Sequence, residues 1–314
     1  MTDHHRSLSI DAGQTGIRAL LRGGDTADET FGFDGILTDT DLIPQLVDVV
    51  ARVAGSSGMA IHTVSAGISG FTYSTADADE LRAATDALGV REVRLAHDSV
   101  TSYLGALGDS LGAVIAVGTG VVTLAVGETA VSRIDGWGNL IGDAGSGYWI
   151  GRAGLDAAMR DYDGRGPRSA LTDAVRADFP NLETAYLELQ GDPGRVSRIA
   201  GYSRHVTALA GTDAVAAGIC AAAAAELVLS VAAGLHGVGE GSGPAPVVCG
   251  LGGVLRAEEI NVPFEQGLRA LWPAIDIRPP QASSLEGAAL LPVLSARSAL
   301  RDRVAVSVGA AEGE

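Results

Sequence analysis

The feature that most constrains the fold of this chain is a pattern that occurs twice: an apolar run, a short turn of glycine and threonine, and a second apolar run. The first copy, SIDAGQTGIRALL, covers residues 9–21, and the second, VIAVGTGVVTLAV, covers residues 114–126. The first copy has one extra residue in its turn and an aspartate, Asp11, just before it. A repeat of this kind indicates two similar domains, although two unrelated hairpin turns, which also need glycine, would give the same match.

The length and the order of elements agree with two domains. A chain of 314 residues exceeds one ordinary core and is comfortable for two linked domains. In the first half, strand-like apolar runs alternate with segments of helical periodicity, which is typical of an α/β fold with a mostly parallel sheet. A last helix is expected from Ser284 to about Ala299, and the tail after Arg303 is expected to be loosely ordered.

The charged residues exclude several kinds of chemistry. All 22 basic residues are arginine, so the chain has no lysine for a Walker A loop, a protein-kinase strand lysine or a Schiff base. The formal net charge of −16 argues against a nucleic-acid or anionic-membrane partner, because neutralising phosphates requires clustered cations. Any phosphate site here must therefore depend on backbone amides, hydroxyls, a metal ion or arginine.

The remaining composition is typical of a cytoplasmic globular protein. The most apolar region, Ala214 to Val238, is alanine-rich and contains Glu226, so we expect a buried helix rather than a membrane span. Two isolated cysteines, Cys220 and Cys249, form neither a disulfide framework nor a Cys-x-x-Cys pair. We expect the reducing cytoplasm as the location.

Three glycine turns each follow an expected strand, at residues 13–16, 118–120 and 250–253. Successive backbone amides in such a turn form a concave anion site that needs no lysine. A single turn is weak support because hairpins use glycine for purely conformational reasons. Three such turns, two of them with threonine, favour a phosphate-binding interpretation.

Two aspartates stand where strands end. Asp11 lies beside the first glycine turn, where a carboxylate next to phosphates requires a hard cation such as Mg²⁺ between them; the alternative is an aspartate that caps the turn. Asp98 follows a strand and begins a helix. It is either the helix N-cap or a general base that takes a proton from an attacking alcohol.

The segment from Gly136 to Arg152 contains six glycines and two tryptophans in seventeen residues. Its glycines allow the chain to approach a ligand closely, and the Trp137 ring offers a flat face to a sugar. Asn139 and Asp143 can bond to sugar hydroxyls. The alternative is a structured loop in which Trp149 is a buried helix anchor, and for Trp149 itself we expect that role.

With these motifs together, the chain resembles the N-acetylglucosamine/glucosamine kinase group of the BadF/BadG/BcrA/BcrD-type ATPases, within the sugar kinase, actin and heat-shock ATPase superfamily. The motifs occur in the family's order and span most of the chain. They are DAGQTGIRALL (11–21), SAGISGF (65–71), AHDSVTSYLGAL (96–107), AVGTGVVTLAV (116–126), DGWGNLIGDAGSGYWIGR (135–152), CGLGGVL (249–255) and LEGAALLP (285–292).

The resemblance implies an α/β fold of two ribonuclease-H-like (actin-like ATPase) domains around a central cleft, each with a mixed five-stranded sheet flanked by helices. It implies an N-terminal domain over 1–108 and a C-terminal domain over 109–285 with a helical insertion over about 153–210. A last helix over about 286–302 would pack back on the N-terminal domain.

The resemblance also implies the cofactors and the roles of the residues. ATP and Mg²⁺ would be bound, with Asp11 holding Mg²⁺ through water and Asp98 acting as the base on the sugar's 6-hydroxyl. The implied ATP-binding residues are Asp11, Gly13, Gln14, Thr15, Gly118, Thr119, Gly120, Gly252 and Gly253. The implied sugar-binding residues are Gly70, Asp98, Trp137, Gly138, Asn139 and Asp143.

The expected function is ATP-dependent phosphorylation of N-acetylglucosamine or glucosamine, with a homodimer as the expected assembly and no nucleic-acid or membrane partner. One departure from the family pattern concerns the choice of sugar. Val121 and Val122 stand where animal N-acetylglucosamine kinases carry Ser-Asn, which removes a polar contact on the sugar side, so the resemblance does not extend to a preference for the N-acetyl group. Two alternatives stay open. They are an ATPase switch that acts on a protein partner and a kinase for a related sugar such as N-acetylmuramate.

Overall fold

The computed structural model describes residues 6–23, 27–37, 40–58, 60–72 and 77–309. Short 3₁₀ turns connect several of the regular elements in this part of the chain. The strands and α-helices in these residues are, in chain order, β1 (Ser7–Gly13), β2 (Gly16–Arg22), β3 (Glu29–Phe33), α1 (Leu42–Ser57), β4 (Thr63–Ile68), α2 (Ala78–Thr85), β5 (Glu92–His97), α3 (Asp98–Leu107), β6 (Gly112–Val117), β7 (Val121–Val126), β8 (Val131–Asp135), α4 (Gly147–Tyr162), α5 (Leu171–Asp178), α6 (Ala185–Gly191), α7 (Arg195–Gly201), α8 (Ser203–Leu209), α9 (Ala214–Gly237), β9 (Val247–Leu251), α10 (Glu258–Leu271), β10 (Asp276–Ile277), α11 (Ser284–Ala289) and β11 (Val304–Val308).

The chain divides into two compact units. The first unit contains residues 1–110, 128–131 and 279–314, and the second contains residues 111–127 and 132–278. Each unit has its own mixed sheet and its own buried core.

The sheet of the first unit has the strand order β11-β5-β4-β1-β2-β3. β1 is antiparallel to β2 and parallel to β4, and β4 is parallel to β5. The register pairs Ala12 with Ile68 and Ile68 with His97, so these three strands end side by side. Polar groups that follow them therefore collect at one edge of the sheet, which is where ligands bind in open α/β sheets.

Helices α3 and α11 of this unit pack through two glycines. A Cβ added at Gly287 would lie 1.9 Å from the carbonyl oxygen of Thr101, and one added at Gly105 would lie 2.2 Å from that of Ser283. The backbone amide of Ala282 also donates to the carbonyl of Gly105 at 2.7 Å. The two helices thus approach at a distance that any side chain at either position would prevent.

The C-terminal segment differs from the sequence-based expectation. Instead of one helix over about 286–302, α11 ends at Ala289 and is followed by 3₁₀ turns at Leu291–Val293 and Ala299–Arg303. Pro292 lies at the point of change, and proline has no amide to continue a helix. The tail after Arg303 was expected to be loosely ordered, but Val304–Val308 forms β11, antiparallel to β5. The first sheet consequently has six strands rather than five.

The sheet of the second unit has five strands in the order β10-β9-β6-β7-β8. β6 is antiparallel to β7 and parallel to β9, and the register pairs Ala116 with Leu251. The second and third glycine turns follow β6 and β9, so they are neighbours at the carboxyl edge of this sheet.

Helix α9 is the principal core helix of the second unit. It covers the apolar region that the sequence predicts as a buried helix, and Leu227, Val231 and Leu235 on it are fully buried. Among the described residues it is the helix long and apolar enough to cross a membrane by length and composition alone. It packs against α10, α8, α4, β7 and β6 of its own unit.

The two cysteines are free and buried in the second unit. Burial raises the pKa of both the Cys220 and the Cys249 thiol to about 11. A thiol with so high a pKa stays protonated at neutral pH and is a poor nucleophile.

Candidate active site

The first glycine turn joins β1 to β2 and presents two exposed residues, Gln14 and Thr15. The carbonyl of Gly13 accepts a bond from the amide of Ile36 at 3.0 Å. A Cβ added at Gly35 would lie 2.0 Å from the carbonyl oxygen of Gln14, so only glycine fits behind the turn. Gly35 was missed from sequence because a glycine that supports a distant turn has no local pattern.

Asp11 is held in place from two directions. Its Oδ2 accepts a hydrogen bond from the Ser284 hydroxyl at 2.8 Å and forms an ion pair with Nη2 of Arg18 at 2.5 Å. The carboxylate is 16% exposed, whereas the Arg18 side chain is 58% exposed. Among the described contacts Oδ1 has no partner. Ser284 was missed because it becomes a neighbour of Asp11 only through the fold.

Asp98 is the first residue of α3, and the helix N-cap is His97 rather than Asp98. The amide of Ser99 donates to Nδ1 of His97 at 3.1 Å, and Oδ1 of Asp98 lies 2.8 Å from the same nitrogen. The Asp98 side chain is 32% exposed, so a ligand can reach it. The N-cap alternative for Asp98 is therefore wrong, because the preceding imidazole already caps the helix.

Gly70 follows β4, between the ends of β1 and β5. Its φ is +73° and a Cβ there would meet open space, so the left-handed backbone rather than crowding favours glycine. The preceding amide, Ser69, donates to the carbonyl of Ala12 at 2.9 Å. Gly13, Gly70 and Asp98 thus come from three adjacent strand ends of one sheet.

The second glycine turn, Gly118–Gly120, has all three carbonyls bonded within its own unit. Gly118 accepts from the amide of Gly147 at 2.8 Å, and Thr119 accepts from the amide of Tyr148 at 3.0 Å. Gly120 accepts from the amide of Gly118 at 2.9 Å. Among the described hydrogen bonds, the amides of Thr119 and Gly120 donate to no acceptor. Two unpaired amides beside the N-terminus of α4 form a site with the geometry and dipole that favour an anion.

The third glycine turn packs directly behind the second. Gly252 has a φ of +100°, and a Cβ there would lie 2.2 Å from the carbonyl oxygen of Val117. Gly253 adjoins open space. This contact explains why the sequence needs glycine at 252, while Gly253 has room for a ligand.

A cavity of about 390 Å³ opens between the second and third glycine turns and the helices α7 and α8. Its walls are mostly small or hydroxyl-bearing residues, a volume and lining that suit a nucleoside. Of its lining residues only Arg204 is charged, and it was not singled out from sequence. The cavity is lined by Gly118, Thr119, Gly147, Ser197, Ala200, Gly201, Ser203, Arg204, Thr207, Gly253, Val254, Ala257 and Ile260.

The loop over residues 136–142, named here the tryptophan loop, carries Trp137, Gly138 and Asn139. Trp137 is 61% exposed, and the Arg133 guanidinium lies 5.0 Å from its ring centroid. Nη2 of Arg133 also donates to the carbonyl of Gly136 at 2.6 Å. One face of the ring is thus supported by the protein, which suits a stacking surface. Trp149 is partly buried and packs on the core of this unit, as expected for an anchor.

Asp143 follows the tryptophan loop and is only 7% exposed. Its Oδ1 accepts a bond from the amide of Val121 at 3.3 Å, and a Cβ added at Gly120 would lie 2.7 Å from its Oδ2. Burial raises the pKa of the Asp143 carboxyl above its usual range, and the charge of Asp135 adds to that rise. The carboxylate therefore lies against the second glycine turn, a contact that its place in the sequence did not indicate.

Solved structures with a similar fold include several sugar kinases. A Chromobacterium violaceum protein named as an N-acetylglucosamine kinase superposes with a TM-score of 0.69, over 91% of this chain and 98% of that one, at 23% identity. A ROK family glucokinase from Streptomyces griseus, solved with glucose and AMPPNP, superposes with a TM-score of 0.52 over 91% and 98% at 17% identity. At these identities the likeness defines the fold, which is that of the sugar kinases and actin-like ATPases.

The sequence comparison defines the family. The family model of the BadF/BadG/BcrA/BcrD ATPases matches residues 27–292, and the chain belongs to this family.

Two curated relatives match parts of the chain. One is the N-acetyl-D-glucosamine kinase of Dictyostelium discoideum, 42% identical over 72 residues, which are 23% of either protein. The other is the N-acetylmuramic acid/N-acetylglucosamine kinase of Clostridium acetobutylicum, 32% identical over 149 residues, which are 45% of this chain and 48% of the relative. The chain thus spans less than half the length of the curated relatives it matches.

Proposed function

We propose that this chain is an ATP- and Mg²⁺-dependent kinase that transfers the γ-phosphate of ATP to the 6-hydroxyl of N-acetylglucosamine or glucosamine. The observation that carries the proposal is the turn Gly118–Gly120, whose carbonyls are all bonded while two of its amides are not. This turn also forms part of the cavity that suits a nucleoside. An anion site adjoining such a cavity is the arrangement that a nucleotide requires.

In this proposal the phosphates are bound without lysine. The amides of Thr119 and Gly120 would hold phosphate oxygens, and the exposed turn at Gln14 and Thr15 would provide a second set of amides and a hydroxyl. Gly252 and Gly253 would lie against the adenosine. Backbone amides are fixed by the fold, so they stabilise developing charge without reorganisation.

Asp11 fits an indirect role in holding Mg²⁺. Within the described residues no cluster of three or more His, Cys, Asp or Glu side chains occurs, so a cage made only of protein ligands does not fit. A single carboxylate with one oxygen unbonded does fit, because Mg²⁺ keeps several waters and takes its other ligands from substrate phosphates. When bound, Mg²⁺ would neutralise charge on the phosphates. Ser284 and Arg18 would orient the carboxylate.

Asp98 is the proposed base. Its carboxylate would accept the proton of the sugar's 6-hydroxyl as that oxygen bonds to the γ-phosphorus. The bond from the γ-phosphorus to the β,γ-bridging oxygen breaks at the same time, and ADP leaves.

The sugar would be held by Gly70, Trp137, Gly138, Asn139 and Asp143. The Trp137 ring has an exposed face for the apolar side of a pyranose. Asp143 already accepts a bond from Val121, but a carboxylate has about four lone-pair sites, so capacity for a sugar hydroxyl remains.

The acceptor is the least constrained part of the proposal. Val122 packs beside Gly136, so an apolar side chain lies where the resemblance to animal N-acetylglucosamine kinases implies a polar one. The matched relatives are named for N-acetylglucosamine and for N-acetylmuramic acid. N-acetylmuramate is therefore the second candidate acceptor.

The test is a screen of ATP consumption with glucosamine, N-acetylglucosamine, N-acetylmuramate, N-acetylmannosamine and glucose. A correlation of the product's ³¹P signal with the sugar's C6 protons would establish the 6-phosphate. Failure to phosphorylate any of these sugars would refute the proposal, and sugar-independent ATP hydrolysis would favour an ATPase switch with a protein partner. We further propose that the protein is cytoplasmic. We also propose that it is a homodimer, and light scattering would test that assembly.

A further inference from the structure

The tryptophan loop is closed at its base by one carboxylate, that of Asp135. Oδ1 of Asp135 accepts a bond from the amide of Asp143 at 2.7 Å, and Oδ2 accepts one from the amide of Ala144 at 3.1 Å. The amide of Trp137, at the other end of the loop, lies 3.5 Å from Oδ1. The side chain thus joins the residue that begins the loop to the residues that follow it.

The backbone around this contact is strained in a way that few residues tolerate. Asp135 and Asp143 have φ values of +58° and +61°, and they are the non-glycine residues with positive φ in the described part of the chain. Gly142 passes so close that a Cβ there would lie 2.5 Å from Oδ1 of Asp135. Strained backbone persists where surrounding contacts fix it, and it concentrates at ligand sites.

The same contact reaches the second glycine turn. Asp143, whose amide is held by Asp135, accepts the amide of Val121 and lies against Gly120. A continuous series of hydrogen bonds therefore runs from Asp135 through Asp143 to the turn, entirely within the second unit.

We infer that Asp135 is a positioning residue that holds the tryptophan loop and the turn Gly118–Gly120 in one arrangement, so that sugar binding at the loop and nucleotide binding at the turn favour each other. The inference rests on the proposed function for the identity of the two ligands. Two sites that share one rigid contact have a coupling free energy, and that coupling is reciprocal.

Asp135→Asn is the variant of choice because asparagine tolerates a left-handed backbone but replaces one of the two acceptor oxygens with an NH₂ group, which cannot accept an amide. Gly142→Ala is a second variant, since its methyl group would displace the Asp135 carboxylate. Asp276→Asn is the matched control, because Asp276 lies in the same unit and its carboxylate pairs with the exposed Arg278.

The first measurement is the affinity for a fluorescent ADP analogue with and without saturating sugar. In the wild type we expect sugar to tighten ADP binding at least about fivefold, the lower end of ordinary coupling. Asp135→Asn and Gly142→Ala should reduce the effect below about twofold, and Asp276→Asn should leave it at the wild-type value. A wild-type enzyme that phosphorylates the sugar but shows no coupling, or an Asp135→Asn variant that keeps it, would overturn the inference.

The second measurement needs no sugar and so separates this inference from the proposed function. Hydrogen–deuterium exchange should become faster in Asp135→Asn over both residues 136–146 and residues 118–124, and in Asp276→Asn over neither. Faster exchange confined to residues 136–146 would show that Asp135 serves the loop alone and would overturn the inference. If the wild type phosphorylates no sugar, the proposed function fails and this exchange pattern still decides whether Asp135 joins the two segments.

Discussion

The hydroxyl of Ser284 donates a hydrogen bond to Oδ2 of Asp11 at 2.8 Å, although the two residues are 273 positions apart in the chain. Ser284 begins α11, whose capping box between Ser283 and Glu286 fixes the start of the helix. The helix itself is fixed against α3 through Gly105 and Gly287. The orientation of the proposed Mg²⁺-holding carboxylate therefore depends on the packing of two helices that are far apart in the sequence.

Ser284→Ala should raise the Mg²⁺ concentration needed for half-maximal turnover. A hydrogen bond to a charged group contributes about 1.5–3 kcal/mol, which corresponds to roughly a tenfold to hundredfold change in that concentration if all of it orients Asp11. Steady-state rates across a Mg²⁺ titration measure the effect. The control is Ser295→Ala in the same segment, and equal Mg²⁺ requirements for both variants would contradict the role of Ser284.

Arg204→Ala should raise the KM for ATP by about tenfold or more, because a guanidinium forms charge-assisted bonds with phosphate. The KM for the sugar should change little. Binding assays with ADP and with adenosine distinguish a phosphate contact from a general disturbance of the cavity. If Arg204 contacts phosphate, the variant should bind ADP more weakly and adenosine as tightly as the wild type does. Arg195→Ala, on the neighbouring helix and outside the cavity lining, is the control. An unchanged KM for ATP would exclude Arg204 from nucleotide binding.

Asp143→Asn should increase stability at neutral pH while it lowers activity. Burial raises the pKa of the folded-state carboxyl above its unfolded value. The ionised carboxylate therefore lowers the free energy of unfolding once the pH exceeds the ordinary aspartate range. The cost grows as pH rises from the unfolded pKa to the raised folded pKa and then stays constant. The advantage of Asp143→Asn in thermal unfolding should therefore shrink as the pH is lowered. An advantage that grows toward low pH would contradict the assigned cause.

Gly287→Ala should lower the melting temperature of the protein. The added methyl group would meet the Thr101 carbonyl oxygen at 1.9 Å, and overpacking of this kind costs about 1–3 kcal/mol. Gly55→Ala is the matched control in α1, where a Cβ meets nothing within 4 Å, and it should be neutral or stabilising. Differential scanning calorimetry measures the melting temperature of each variant. A similar effect of the two substitutions would contradict the close helix contact.

Local patterns in the sequence predicted most of the strands and helices. The hairpin β1–β2, the strand β3, the helix α3 and the strand β7 begin and end within a few residues of the expected positions. Each of these has a clear apolar periodicity and a glycine or helix-cap boundary, so neighbouring residues alone define it. The C-terminal helix was predicted too long because its apolar spacing continues past Ala289, where α11 ends three residues before Pro292.

Sequence reasoning did not predict the contacts between distant segments. Nothing near Ser284 or Gly35 in the sequence indicates that the fold brings these residues to the first glycine turn. Asp135 lies within a motif that sequence reasoning singled out. Its proposed role, however, depends on a left-handed backbone conformation that the residue type alone does not predict. Arg204 is an exposed residue of α8, and its position suggests a role only because the cavity opens beside it.

The most direct test of the account is the rate of sugar phosphorylation by wild type and by Asp98→Asn, measured with the amino sugar that the screen identifies. Loss of a general base reduces turnover by about 10²–10⁴-fold, and the KM for the sugar should change only a few-fold. Asp86→Asn, an exposed carboxylate paired with Arg91, should behave as the wild type. Near-normal turnover in Asp98→Asn, or wild-type ATP consumption that does not depend on the sugar, would contradict the account.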